Sequence, residues 1–376
     1  VLSNNDGCVV ARSREAKKLG IKMGVPVFQV RELMQKHGVV AFSSNYALYA
    51  DMSQRVMSIL ESLAPRVEVY SIDEAFLDLT GVDFSQNLIE FGSTVRQLVQ
   101  KCTGISVCVG IAPTKTLAKL ANHAAKKWQR QTGGVVDIRD PERRDKLLKI
   151  TPVADVWGVG SRMAAHLQGM KIKTAWELSQ ADPWTLRKQF SVVIEKTARE
   201  LRGTSCLALE EAAPPKQEIC CSRMFGKKMT ELTPIKQAVA TYAARAAEKL
   251  RAQGSVCKRM RVSIRTGMFN PNELHLAKGA LVELPYPTSD TLLLTRAATE
   301  AVEKVYQDGY RYSKAEVLLL DLRQPGEFTD DLFASTQPVA CDRLQLVESR
   351  EGGKAAIVSE QDGYDAAAFF LGDEAE

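Results

Sequence analysis

The stretch from Arg66 to Gly81 leaves this chain few ways to fold. Arg66 to Tyr70 alternates charged and apolar residues, with Val67 and Val69 on one face, and Ala75, Leu77 and Leu79 then alternate with Phe76, Asp78 and Thr80. The pattern predicts a β-strand, a short interruption and a second β-strand. Neighbouring residues of a regular strand point to opposite faces. Asp73 and Glu74 therefore reach one site only if the backbone bends between the strands. Two carboxylates at the tip of a hairpin can hold a hard divalent cation against a phosphate. An isolated Asp-Glu pair is more often a solvated acidic turn, so the rest of the chain must decide.

Around the hairpin, helical and strand patterns interleave. Residues 11 to 19 read as a helix ending at Gly20, with a basic cluster of Arg12, Arg14, Lys17 and Lys18 that suits either a solvated face or an anion. Helical spacing runs through Tyr46, Tyr49, Met52, Val56, Ile59 and Leu63 until Pro65, and again over residues 86 to 101. A buried strand is expected over Ile105–Ile111. Thr114 then caps a helix with Lys115, Lys119, Asn122 and Lys126 in one stripe and Leu117, Leu120, Ala121, Ala124 and Trp128 opposite. After an acidic hairpin, that lysine stripe points to phosphate clamping more than to a solvated face. A short strand, Val135–Ile138, follows.

Residues 141 to 203 read as helical and carry Gly158-Val159-Gly160-Ser161-Arg162. Gly-x-Gly opening a helix after another helix is no dinucleotide fingerprint. It suits either a helix–hairpin–helix, whose backbone N–H groups meet a DNA phosphate, or a plain tight turn. A linker at residues 206–215 with Pro214-Pro215 precedes a β-α-β-β-α-β order, which predicts one sheet with two helices. Its strands carry Arg223, Lys227, Lys228, Lys258, Arg259, Arg261 and Arg265, and alternation puts Arg259, Arg261, Ser263 and Arg265 on one face, opposite Met260, Val262 and Ile264. A basic sheet face can lie along a nucleic-acid backbone.

Charge agrees with a polyanionic partner. The net +5 hides an acidic C-terminal stretch: from Glu327 on, twelve acidic residues face three basic ones, leaving −9 there and +14 on the first 326 residues. That stretch is expected to be largely disordered. No apolar run reaches membrane-spanning length and nothing at Val1 reads as a signal peptide, so no membrane association is expected. The eight cysteines lack metal-ligand spacing and read as reduced thiols of a cytoplasmic protein; Cys102 and Cys108 lie in or beside apolar, strand-like sequence.

Ser71-Ile72-Asp73-Glu74-Ala75-Phe76-Leu77-Asp78 resembles the catalytic signature of the Y-family translesion DNA polymerases. Val109-Gly110-Ile111-Ala112, with Lys115, Ala118, Lys119 and Ala121, resembles that family's second palm motif. Asn4-Asn5-Asp6-Gly7-Cys8, Ser43-Ser44-Asn45-Tyr46 with Tyr49-Ala50-Asp51-Met52-Ser53, and Asn122-His123-Ala124-Ala125-Lys126-Lys127-Trp128 resemble the UmuC subfamily, catalytic subunits of bacterial DNA polymerase V. The match runs from Val1 to about Leu322.

The resemblance implies a multidomain α+β right-hand polymerase. Residues 1–40 would be fingers, 41–140 palm, 141–205 a helical thumb with the helix–hairpin–helix, 216–325 the little finger and 326–376 a tail. It implies an error-prone enzyme of SOS-type mutagenic repair, adding deoxynucleotides to a primer–template opposite damaged bases. Asp73 and Glu74 would hold two Mg²⁺ ions, and Lys126 would meet the incoming triphosphate. Arg14 and Lys17 fall where relatives carry a Tyr and an Arg on that triphosphate; Lys17 keeps the charge without the bidentate fork. Gly158, Gly160, Arg162, Arg223, Arg259, Arg261 and Arg265 would bind DNA. Implied partners are the processed UmuD dimer, RecA and the sliding clamp, the last through Leu332 and Phe333, which keep only the hydrophobic end of the family's clamp peptide.

The family's first metal aspartate, beside its steric-gate aromatic, lies on a strand before the fingers, and the chain starts after it. The expectation is a polymerase parent and a chain inactive alone. Two other classes compete: a non-catalytic DNA-binding remnant, and a nucleotide cyclase, which uses carboxylates on a similar sheet but has no use for a basic little finger.

Overall fold

The computed structural model describes residues 1–3, 7–81, 87–210, 214–268 and 273–324. In chain order the elements are β1 (Leu2–Ser3), β2 (Val9–Ala11), α1 (Arg14–Lys18), α2 (Val27–Lys36), β3 (Phe42–Ser43), α3 (Tyr46–Glu61), β4 (Arg66–Val69), β5 (Ala75–Asp78), α4 (Leu88–Thr103), β6 (Val109–Ile111), α5 (Lys115–Lys127), α6 (Gln129–Thr132) and β7 (Val135–Asp137). Then come α7 (Pro141–Ile150), a 3-10 turn (Val153–Asp155), α8 (Ser161–Gly169), α9 (Ala175–Gln180), α10 (Pro183–Gln189), α11 (Val192–Leu201), β8 (Ile219–Met229), α12 (Leu232–Ala252), β9 (Val256–Thr266), β10 (Ala277–Thr288), α13 (Thr291–Val305) and β11 (Tyr312–Arg323). The described residues form two compact units, one within 1–10, 22–47 and 214–324, the other within 11–21 and 48–210. No helix among the described residues is long and apolar enough to cross a membrane.

In the second of these units β4 and β5 form the expected antiparallel hairpin, with Val67 opposite Leu77 and Glu68 opposite Phe76. Its Ala75–Leu77–Leu79 face packs on Met57 and Leu60 of α3 and on Phe91, Val95 and Val99 of α4. Gly104 in the left-handed conformation stops α4. The strand expected over Ile105–Ile111 is shorter: only Val109–Ile111 pairs, in parallel with Val135–Asp137, because the partner strand is just as short. Cys102 lies in the last turn of α4 and is exposed, beside the strand-like sequence rather than in it. The seven cysteines among the described residues are all thiols.

Helix α5 is capped by Thr114, whose side-chain oxygen accepts from Leu117 N at 3.3 Å. Its apolar face buries Leu117, Leu120, Ala121 and Ala124 against Leu148, Val153, Leu167, Leu178, Ile194 and Leu201 of the helical segment. That segment is fastened to the start of α5 by the fully buried Glu200. Its Oε2 accepts from Thr116 N at 2.9 Å and its Oε1 from Cys206 N and Leu207 N at 2.7 and 3.1 Å. A carboxylate there also suits the positive end of the helix dipole. On the other side, β6 crosses α5 at Gly110. A Cβ there would sit 2.8 Å from the carbonyl carbon of Ala121 and closer still to Asn122 N and Ala118 O.

The other unit contains the β-α-β-β-α-β element as expected, its antiparallel sheet ordered β10-β9-β11-β8. Met260, Val262 and Ile264 of β9 and Ala315, Val317 and Leu319 of β11 are at most 1% exposed and share a core with Ile235, Val239 and Leu250 of α12 and Leu294, Ala298 and Val302 of α13. At the sheet edge, β10 loses register between Glu283 and Thr288, where Pro285 and Pro287 have no N–H to donate. Parallel strands β1 and β3 pair Leu2 with Phe42 in the same unit. Helix α2, begun after Pro26 by Val27, Phe28 and Val30 and continued by Leu33 and Met34, was not anticipated.

Candidate active site and nucleic-acid face

The bend needed at the hairpin tip is present. Tyr70 N and Ser71 N both donate to the carbonyl oxygen of Glu74, at 3.0 Å each. The Ser71 hydroxyl donates to Asp73 Oδ1 at 2.6 Å and accepts from Asp73 N at 3.3 Å. The turn leaves Asp73 exposed and Glu74 half-buried, and Glu74 Oε1 takes the ammonium of Lys119.

Helix α5 lies along the face of the hairpin that carries Glu68 and Phe76. The stripe of cations does not act as one. Lys115 is bound to the buried Glu68, which also accepts from Glu210 N at 2.7 Å, and its ammonium donates to Ala208 O at 2.6 Å, 5.2 Å from the Phe76 ring centroid. Phosphate clamping is thus closed to Lys115, whose side chain is 12% exposed. Lys119 is held by Glu74. Two turns on, loss of water around its ammonium pushes the Lys126 pKa down to about 8; Lys17 acts the same way, while Cys108, Asp73 and Glu74 pull it back up. Lys126 is therefore within electrostatic reach of Lys17, of Asp73 and of Glu74. Arg14 sits one turn from Lys17 on α1, exposed, behind the Ser13 cap.

This donor set suits Mg²⁺, a hard cation that keeps several waters and needs one or two carboxylates plus substrate phosphates. Among the described residues no group of three His, Cys, Asp or Glu converges to hold a metal by itself. Phosphates would have to complete the shell.

Gly158, with φ of +84°, and Gly160, which caps α8, follow the 3-10 turn, and space is open where a Cβ would stand on either. Arg162 is exposed in the first turn of α8. Trp157, just before this loop, donates from Nε1 to Tyr70 Oη at 3.2 Å, and Tyr70, Phe76 and Trp157 form a cluster with centroids 5.4–5.9 Å apart. Neither Trp157 nor Glu68 was among the expected site residues. A tryptophan beside a glycine loop was the only signal for the first, and a carboxylate between two valines the only one for the second.

On the sheet of the other unit, Arg259, Arg261 and Arg265 are exposed on one face as expected. The face is not uniformly basic. Glu316 of β11 meets Arg261 at 3.4 Å and Lys314 at 3.6 Å, and Leu281, 62% exposed, lies opposite Arg261. Arg223 is not brought to it. Its register with Ala315, like that of Cys221 with Val317, places it on the side turned to the helices. Lys258 is occupied too, donating to Leu284 O at 2.6 Å and Pro285 O at 3.1 Å. Leu332 and Phe333 lie outside the described residues.

Two family models match: the impB/mucB/samB family over residues 1–123 and its C-terminal domain over residues 216–332. Protein UmuC of Salmonella typhimurium is 53% identical over 340 residues, 90% of this chain and 81% of that protein. Protein SamB of Salmonella typhimurium is 49% identical over 90% of this chain and 80% of its own length, and DNA polymerase IV of Clostridium acetobutylicum is 27% identical over 70% and 64%. Among solved structures, a Y-family DNA polymerase chimera of Dbh and Dpo4 superposes with a TM-score of 0.68 at 20% identity, covering 85% of this chain and 89% of the chimera.

Proposed function

The chain belongs to the impB/mucB/samB family, the UmuC type of Y-family translesion DNA polymerase, and from that premise we propose that it extends a primer across damaged template by metal-assisted phosphoryl transfer, in SOS-type mutagenic repair. The observation that carries this is the placement of Lys126, which is within electrostatic reach of both Asp73 and Glu74 and of Lys17. An acidic pair alone repels a triphosphate; with the Lys126 ammonium in reach of it, the site can take metal-bound nucleotide.

Asp73 and Glu74 would hold two Mg²⁺ ions, which when bound activate the primer 3′-hydroxyl and neutralise the leaving pyrophosphate. The protein's own part is positioning and electrostatics. Ser71 holds Asp73 by its side chain and the paired N–H groups of Tyr70 and Ser71 fix the turn. Lys126, with Lys17 and Arg14, neutralises the triphosphate. A partly desolvated ammonium offers a stronger field to that phosphate than one in bulk water. The Gly158–Gly160 loop with Arg162, and separately the Arg259–Arg261–Arg265 row, would bind DNA through its backbone, which suits an enzyme that must accept distorted template. The processed UmuD dimer, RecA and the sliding clamp are proposed as partners on family grounds. A nucleotide cyclase reading falls with the family assignment.

Primer extension opposite an abasic site tests the proposal, with the partner proteins supplied. Asp73→Asn should abolish Mg²⁺-dependent incorporation, and Lys126→Met should slow it by about 10²–10³-fold. Incorporation unchanged in Asp73→Asn, or none in the wild type with DNA binding intact, would refute it.

A further inference from the structure

Lys119 has no role in the reading above, yet it occupies the crowded centre of the site. Its ammonium is bound to Glu74 Oε1 and lies 5.1 Å from the Tyr70 ring centroid and 5.8 Å from that of Trp157. Tyr70 and Trp157 meet edge to face at 5.4 Å and are joined by the Trp157 Nε1–H···Oη hydrogen bond. A lone lysine on a four-carbon stem fixes a carboxylate poorly, because rotamer entropy opposes any single geometry. Here two aromatic faces restrict that stem and favour the charged head, and its side chain is only 19% exposed against 39% for Glu74. The restraint runs from the ring of Trp157 to the carboxylate of Glu74, and Trp157 adjoins the glycine loop that opens α8.

We propose that Trp157, Tyr70 and Lys119 form a positioning chain through which the Gly158–Gly160 loop sets the carboxylate of Glu74 for a divalent cation. The chain rests on the proposed role of Glu74. Lys119 takes Oε1 and leaves Oε2 for the cation, so the carboxylate presents one defined oxygen. A phosphate held on the glycine loop would steady Trp157 and, through it, Glu74. DNA binding and cation binding then become coupled, and by linkage each must strengthen the other by the same factor.

Mn²⁺ serves as the probe, its free concentration read by electron paramagnetic resonance without turnover, with and without primer–template, while DNA affinity is read by anisotropy. Lys119→Met should weaken Mn²⁺ binding by roughly 10-fold, the low end for an outer partner of a metal ligand, and Lys119→Arg should restore most of it. Trp157→Ala should remove the mutual enhancement of DNA and Mn²⁺ while each still binds alone. Trp157→Phe, which keeps a ring but not the N–H, serves if the alanine variant does not fold. Unchanged Mn²⁺ affinity in Lys119→Met, or enhancement intact in both Trp157 variants, overturns the proposal while Asp73→Asn still abolishes Mn²⁺ binding. Mn²⁺ binding indifferent to Asp73→Asn would instead remove the metal reading of the hairpin, and this proposal with it.

Discussion

Gly110→Ala should damage the site from beneath without touching any residue in it. The added methyl would stand 2.8 Å from the Ala121 carbonyl carbon and nearer to Asn122 N and Ala118 O, all backbone atoms of α5. Carbon atoms prefer about 3.5–4.0 Å, so β6 and α5 must part by roughly 1 Å. Neither can rotate a side chain away. Helix α5 is also held from its other side by the Leu117–Leu120–Ala124 core and by Glu200. Overpacking of this kind costs about 1–3 kcal/mol, and with backbone on both sides we expect about 3. At about 2–4 °C per kcal/mol for a unit of this size, melting of that unit should fall by roughly 6–12 °C. Lys119 and Lys126 ride on the displaced helix, and a misplacement of about 1 Å can cost on the order of 10²-fold in rate. Calorimetry and single-turnover extension below the melting range measure the two effects separately. A variant melting within a degree of the wild type would refute the close approach, and full activity in a destabilised variant would refute the claim that α5 placement sets the site.

Three further expectations follow from the same structure. Gly160→Ala meets open space and a negative φ, so melting should be unchanged, while a backbone phosphate seat should lose affinity for DNA and its salt slope should drop by roughly one; unaltered DNA binding would reduce the loop to a tight turn. The Lys126 pKa of about 8 lies below its ordinary 10.5: from 8 to 10.5 the unfolded chain holds a proton the folded one lacks, so stability rises with pH across that window, whereas nucleotide KM should climb above about pH 8 as the charge is lost; Lys126→Met should flatten both titrations. Lys115→Met strands the carboxylate of Glu68, 9% exposed, and should cost about 3–5 kcal/mol, most of it recovered by adding Glu68→Gln in a double-mutant cycle.

The β-α-β-β-α-β order was readable because its strands and helices are long and strictly periodic; β9 alternates Arg259, Arg261 and Arg265 with Met260, Val262 and Ile264 through its centre. The acidic pair was readable because its interruption falls between two clean alternations. What escaped depends on approach between distant residues. Trp157 and Tyr70 are 87 positions apart, and no local pattern announces their hydrogen bond. Glu68 looks solvent-facing between two valines, yet it is the strand's buried residue because α5 brings a lysine to it. Arg223 does not share the face of Arg259, Arg261 and Arg265, and its parity with Ile219 and Cys221 already pointed to the other side. Gly110 sits in a motif, but its reason, a helix backbone lying against it, is tertiary.

The interruption of β10 at Pro285 and Pro287 bears on how this protein meets other chains. An open sheet offers two borders on which a foreign strand could crystallise, and that hazard grows with the length of clean border. On one border the prolines and the lost register interrupt the run of donors beyond Glu283; on the other, β8 carries the exposed Lys227, a charge that a docking strand would have to desolvate. Strand addition is thereby discouraged along these stretches of border, which lowers the hazard of the sheet templating its own aggregation.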